Sequence, residues 1–245
     1  MVPSRPPSRF FEELDFQTTP IGDLSLRRRR VAALDDLEVY EVALGEGFLM
    51  SSMFHEVEVA LADLALTALT GPLDVVVGGL GLGYTAQAAL RHEHVRSVVV
   101  IEALAAVIGW HQRGLVPLGP ELSASPRCRL VQADFFALAG TPVIGFDPAA
   151  PGSIFHAVLL DIDHSPRNLL DPRNATFYRP AGLENLAAQL HPGGIFGLWS
   201  DDPPDADFLS ALQSVFTSVR AEVVSFDNPI LERKSSSTVY LATKN

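Results

Sequence analysis

Residues Asp74 to Tyr84, DVVVGGLGLGY, read as a buried strand running straight into a turn with four glycines in six residues. Such a turn lets a ligand approach the backbone. The helix-like segment that follows, Thr85 to Arg91, would offer free N–H groups and positive dipole character at its start. A second apolar run, Ser97 to Ile101, ends in Glu102, nineteen residues past Gly83. A carboxylate at that spacing can hold two ribose hydroxyls. Strand, glycine turn, helix and spaced acid together constrain the chain to an α/β fold with a nucleoside at the turn. The competing reading is a glycine-rich connection that binds nothing.

The glycine spacing narrows the ligand. Counted from Gly79, the dinucleotide fingerprint G-x-G-x-x-G needs glycine at position 84, which is Tyr84. A dinucleotide-dependent oxidoreductase is therefore disfavoured. The triplet present, Gly79, Gly81 and Gly83, resembles the looser G-x-G-x-G of S-adenosylmethionine-type sites.

Composition mostly excludes. With 245 residues and 47% hydrophobic content, the chain can bury a large core, so global disorder is ruled out. A net charge of −11 argues against nucleic acid, whose phosphates would be repelled. The longest apolar stretch, Val98 to Trp110, is too short to span a bilayer and is broken by Glu102. Met1 to Arg9 lacks the apolar core of a secretory signal. One cysteine, Cys128, can form neither an internal disulfide nor a metal cluster, which suits a reducing cytoplasm. The histidines show no metal-ligand spacing, so no metal site is expected.

Three regions differ in pattern. Residues 1–15 read as a disordered lead-in. Residues 16–52 read as a small β region, with a hairpin turn at Gly45-Glu46-Gly47 and a run of four arginines (Arg27 to Arg30) suited to a solvated edge strand. Residues 53–245 read as a Rossmann-like α/β domain. Met53 to Thr70 is helical, its stripe made of Phe54, Val57, Leu61, Leu64 and Leu66. Strand-like runs follow at Leu73–Val77, Ser97–Ile101, Arg129–Gln132, Ala157–Leu160 and Ile195–Trp199. Helices lie between most of them, including Ala181–Leu190 stopped by His191-Pro192-Gly193-Gly194. Apolar strands alternating with helices imply a doubly wound, mostly parallel sheet. Two final runs, Ala221–Phe226 and Thr238–Ala242, are joined by a loop and imply a closing antiparallel pair.

Ligands of such sheets lie beyond the carboxyl ends of the strands. Those ends carry Gly79 to Gly83, then Glu102, then Asp134, then Asp161, Asp163 and His164, then Trp199 to Asp202. Asp134 suits the exocyclic amine of an adenine. Asp161 follows four apolar residues, so its carboxyl is expected to be partly buried and able to take a proton from an attacking amine. The alternative is a helix cap. His164 suits a base or a loop-bonding rim histidine.

The order of these motifs resembles spermidine synthase and its relatives, the aminopropyltransferases of polyamine biosynthesis, over roughly Gly22 to Ala242. Phe54-His55-Glu56 stands where the family has Tyr-His-Glu, Asp161 stands at the head of its Asp-x-x-Asp-Pro motif, and Phe177-Tyr178 and Pro192-Gly193-Gly194 match downstream landmarks. The resemblance implies a small N-terminal β-domain before a class I S-adenosylmethionine-type domain, with pairing into a homodimer through that β-domain. It implies decarboxylated S-adenosylmethionine, or S-adenosylmethionine itself, as co-substrate, with no metal. It places Glu102 on the ribose, Asp134 on adenine, Asp161 as acid/base, and His55, Leu82, Tyr178 and Trp199 about a small amine acceptor. Two departures stand out. Leu82 occupies the position of the glycine motif's polyamine-binding aspartate. His164 occupies that of the second aspartate, leaving only Asp163 to substitute. The leading expectation is aminopropyl, or related, transfer to an amine other than putrescine or held differently. The runner-up is a methyltransferase with a less charged acceptor, suited to Leu82 and Trp199. The third is a non-catalytic nucleoside-binding paralogue.

Overall fold

The computed structural model describes residues 11–245 and divides into two compact units, before and after the His55–Glu56 bond. Residues 1–10, most of the expected lead-in, lie outside the described residues.

The first unit is an antiparallel meander of β1 (Phe11–Thr19), β2 (Gly22–Val31), β3 (Leu37–Leu44) and β4 (Gly47–Ser51), paired in that order. Strand β1 takes in residues 11–15, read from the sequence as lead-in. Gly45 turns the β3–β4 hairpin with φ +60°. The arginine run corrects the sequence reading: β2 is an interior strand, hydrogen-bonded to both β1 and β3. Charged side chains are tolerated there because neighbouring strands supply counter-ions. Arg28 pairs with Glu12 of β1 and Glu38 of β3, and Arg29 with Glu41 of β3. On the β2 faces that must be dry, Leu24 and Leu26 are fully buried.

The second unit is built on seven strands in the order β10-β11-β9-β8-β5-β6-β7. They are β5 (Leu73–Gly78), β6 (Val95–Glu102), β7 (Cys128–Gln132), β8 (Phe155–Leu160), β9 (Leu190–Ser200), β10 (Ser218–Asn228) and β11 (Arg233–Thr243). The first five are parallel, and β11 runs antiparallel to both β9 and β10. The expected doubly wound sheet with a closing antiparallel pair is what forms. Continuous runs such as Val75-Val76-Val77 and Val98-Val99-Val100 are buried, as a sheet covered on both faces requires.

Seven helices flank the sheet: α1 (Glu56–Leu66), α2 (Tyr84–Arg91), α3 (Ala105–Gln112), α4 (Gly119–Ala124), α5 (Phe135–Ala139), α6 (Pro180–Ala187) and α7 (Ala206–Gln213). Helix α6 ends at Ala187, and His191-Pro192-Gly193-Gly194 is not its stop. Those residues lie inside β9, where pairing with β8 jumps from Phe155–Leu190 to Ala157–Ile195. The extra residues bulge out of the ladder, and Gly193 takes φ +76° to allow it.

An aromatic core fixes the sheet's carboxyl edge. Phe135 stacks on Phe146 at 5.0 Å and meets Phe177 edge-on at 5.8 Å. Its ring also lies under the end of β5, where a Cβ on Gly78 would sit 2.6 Å from Phe135 Cδ2. Such ring pairs add about 0.5–1.5 kcal/mol each beyond their buried area, so the floor of the site is closely packed. Strands β5 and β8 are neighbours with sequential connections leaving in opposite directions, the switch point where α/β sheets open a crevice. Among the described residues no helix is long and apolar enough to cross a membrane.

Candidate active site

The glycine turn follows β5 directly. Gly79, Gly81 and Gly83 have φ of +93°, +48° and +96°, a left-handed sequence that side-chain-bearing residues resist. At Gly79 glycine is also demanded by space: a Cβ there would fall 2.1 Å from the carbonyl oxygen of Asp161. The Asp161 N–H donates to Gly78 O at 2.8 Å, and the Gly79 N–H to Ile101 O at 2.9 Å. The turn is thus stitched to the ends of both neighbouring strands.

Glu102, at the end of β6, accepts from Leu80 N–H at 3.0 Å and Leu104 N–H at 2.8 Å. Burial pushes its carboxyl above the usual range, and these backbone donors, with those of Gly81 and Ala103, pull against that. The carboxylate expected to meet ribose is therefore a preorganised part of the turn.

Asp161 follows β8. Its residue keeps some surface, yet its carboxyl is densely surrounded, and Thr85 Oγ1 donates to its Oδ2 at 2.8 Å. Burial pushes this carboxyl up to about 6, against the pull of the Thr85 hydroxyl. Thr85 is itself buried in the first turn of α2, so the helix start serves the acid rather than its own cap.

Sequence reasoning missed Glu58. On α1 the residues Ala62 and Leu66 are buried one and two turns after it, so Glu58 heads the packed face. Its carboxyl is pushed up to about 8, first by burial and then by the charge of Asp161. Among the described residues neither carboxyl is ion-paired with a basic side chain. Buried acids that feel each other's charge, with no counter-cation, retain a proton near neutral pH. The available signal was helical phase, masked because the residue one turn after Glu58 is the small Ala62.

Stability should report that proton. Both carboxyls titrate higher folded than unfolded, so their contribution is full below the ordinary carboxylate range and is lost as pH rises through 6 to 8. Unfolding free energies from urea titrations are expected to fall between pH 5 and pH 9, by on the order of 1–3 kcal/mol after discounting for partial exposure. Glu58→Gln should flatten the alkaline part of that curve; an unchanged slope would refute the raised Glu58 carboxyl.

The remaining expected site residues divide. Asp163 is 1% exposed and wholly engaged: Leu170 N–H donates at 2.7 Å, Asn174 Nδ2 to both oxygens at 3.1 Å, and Tyr178 OH at 2.8 Å. It organises the segment from 163 to 178, and Tyr178 is buried as its donor. Asp134 caps α5, accepting from Phe136 and Ala137 N–H. Leu82 is 3% exposed, packed within the protein. His164 contributes its carbonyl, which accepts from Asp201 N–H at 2.7 Å and ties the β8 and β9 ends together. Trp199 is half-buried on β9, opposite Val239. His55 ends the first unit, with Nδ1 3.3 Å from Ser52 O. The second unit thus gathers the glycine turn, Glu102, Thr85, Asp161 and Glu58. Among the described residues no cluster of three or more His, Cys, Asp or Glu could hold a metal.

A parallel sheet closed by an antiparallel pair, with a glycine turn at its switch point, defines a methyltransferase-like fold. Over 188 residues the chain is 30% identical to polyamine aminopropyltransferase 2 of Pseudomonas aeruginosa, a match covering 71% of this chain and 48% of that protein. The chain spans about half the length of that curated relative. Two solved structures share its fold: a spermidine synthase in complex with the transition state analogue AdoDATO, and the spermidine synthase of Thermotoga maritima. Each has a TM-score of 0.72 at 16% identity, covering 95% of this chain and 74% and 73% of the respective neighbour. No family model matches the chain. In sequence the chain is similar to a polyamine aminopropyltransferase, and its fold is that of the spermidine synthases.

Proposed function

We propose that the protein transfers an aminopropyl, or closely related, group from an S-adenosylmethionine-type nucleoside, in decarboxylated form, to a small amine. The observation that carries this is the Asp161–Glu58 carboxyl pair, free of cationic side chains, beside the glycine turn. In the proposed step the acceptor nitrogen attacks the sulfonium's propyl carbon. A C–N bond forms, the C–S bond breaks with its electron pair passing to sulfur, and the nitrogen's proton goes to Asp161. Glu102 would hold the ribose and Asp134 would meet adenine.

The acceptor half supports an unusual amine. A dication spanning the site would need a second anion, but Leu82 is apolar and buried and Asp163 has its donors inside the protein. One end of the acceptor is therefore held by carboxyls, the other by less polar surface including Trp199. That same apolar character is what favours the second reading, methyl transfer from intact S-adenosylmethionine. Cytoplasmic residence and pairing of two copies through the first unit's sheet, where Phe11, Phe16 and Phe48 are exposed, complete the proposal.

The test compares thermal stabilisation by decarboxylated S-adenosylmethionine, S-adenosylmethionine and methylthioadenosine, followed by transfer across an amine panel. A tenfold preference for the decarboxylated form, about 1.4 kcal/mol, supports aminopropyl transfer. The reverse preference favours methyl transfer. Nucleoside binding with no transfer to any amine favours a non-catalytic paralogue, and no stabilisation by any of the three refutes the nucleoside reading.

A further inference from the structure

His111 closes α3 and is 0% exposed, yet none of the expected chemistry uses it. Its Nε2 lies 2.9 Å from the carbonyl oxygen of Gly81. A carbonyl only accepts, so Nε2 carries the proton and Nδ1 holds a lone pair. That Nδ1 is buried without a hydrogen-bond partner. Taking up a second proton would bury a charge and an unmatched N–H, so the ring is held neutral; its pKa is lowered, mainly by burial.

The packing about the ring is equally specific. A Cβ on Gly83 would fall 2.9 Å from His111 Cε1 and 2.5 Å from Leu122 Cδ1. A Cβ on Gly119 would fall 2.6 Å from the His111 carbonyl oxygen. The third glycine of the turn therefore admits His111 and α4 from beneath. An unsatisfied buried nitrogen costs about 1–3 kcal/mol, which an apolar side chain would avoid, so the retained N–H points to a task at Gly81.

Gly81 is held at both ends. Its N–H, with that of Leu80, supports the Glu102 carboxylate, while its carbonyl is fixed by His111. With φ +48° and no side chain, Gly81 itself does little to resist rotation. The Gly83 N–H, donating to Leu80 O at 2.8 Å, holds the peptide plane before it, and His111 holds the plane after it. We propose that His111 is a positioning residue for the nucleoside: by fixing the Gly81 carbonyl it sets the orientation of the N–H groups that aim Glu102 at the ribose. It acts through Gly81 and Glu102 rather than by touching the ligand. This inference rests on the nucleoside reading above.

The experiment compares His111→Leu, which fills the space without a donor, and His111→Gln, which carries an N–H at similar reach. Methylthioadenosine affinity is measured by calorimetry and stability by urea unfolding. Expected are at least a tenfold loss of affinity in H111L and recovery to within threefold of the parent in H111Q, with acceptor KM unmoved in both. H111L binding as tightly as the parent overturns the inference alone, as does equal loss in both variants, which would mean packing only. A parent that binds no methylthioadenosine overturns the nucleoside reading and this inference with it. Should H111L fail to fold, the ¹⁵N spectrum of histidine-labelled parent decides. An Nε2–H tautomer whose His111 signals shift on adding methylthioadenosine supports the role, and unmoved signals overturn it.

Discussion

Under the proposed chemistry, replacing Asp161 by asparagine is expected to cut transfer by about 10²- to 10⁴-fold, the usual scale for losing a positioned acid/base group. Methylthioadenosine affinity should stay within a few-fold of the parent. The variant keeps the shape of the side chain and an acceptor for the Thr85 hydroxyl, which in the parent donates to Oδ2 at 2.8 Å. What goes is the proton acceptor. Removing this charge also removes the second cause of the raised Glu58 carboxyl, so Glu58 should titrate lower in D161N than in the parent. Single-turnover rates with saturating nucleoside isolate the chemical step. Turnover within threefold of the parent would remove Asp161 from the mechanism.

The largest effect on stability is expected at Gly79. Alanine there must tolerate φ +93° and place its Cβ 2.1 Å from the Asp161 carbonyl oxygen. The left-handed conformation alone costs about 1–2 kcal/mol. The clash adds to that, because the obstacle is backbone and relief means parting the ends of β5 and β8. A total loss above about 3 kcal/mol is expected, within the range of severe single substitutions. Gly83 has nearly the same φ, +96°, but its nearest obstacles are the Leu122 and His111 side chains. G83A should therefore cost less than G79A. Urea unfolding of the two variants gives the ranking, and the reverse order would show that the β5–β8 junction is more pliant than its geometry implies.

Much of the architecture was legible because it is written in contiguous residues. The parallel strands announce themselves as unbroken valine-rich runs, and the glycine turn as a local cluster. What depended on partners distant in sequence was not legible. Arg27 to Arg30 look like an exposed edge until Glu12, Glu38 and Glu41 are found on the flanking strands. His191-Pro192-Gly193-Gly194 reads as a helix stop because helix ends and strand bulges both call for glycine.

The site shows the same division. Asp134 and Asp163 were readable as strand-end acids, but capping a helix, gathering a loop and meeting a ligand all ask for the same carboxylate. Only the donors around each one tell them apart. Glu58 was hidden by its helix: the stripe of Phe54, Val57, Leu61, Leu64 and Leu66 does not include it, and the buried face is widened toward it only by the small residues Ala62 and Ala65. His111 offered no local cue, since its partner Gly81 lies thirty residues earlier.

In water the two oxygens of a carboxylate are interchangeable. In Asp161 they are not, because the Thr85 hydroxyl donates to Oδ2 at 2.8 Å and so makes it the weaker base of the two. An acceptor carrying two inequivalent amines would then present one of them, along one line of approach. Under the proposed chemistry the product of such an acceptor should be a single positional isomer, its regiochemistry set by which oxygen of Asp161 the Thr85 hydroxyl leaves as the stronger base.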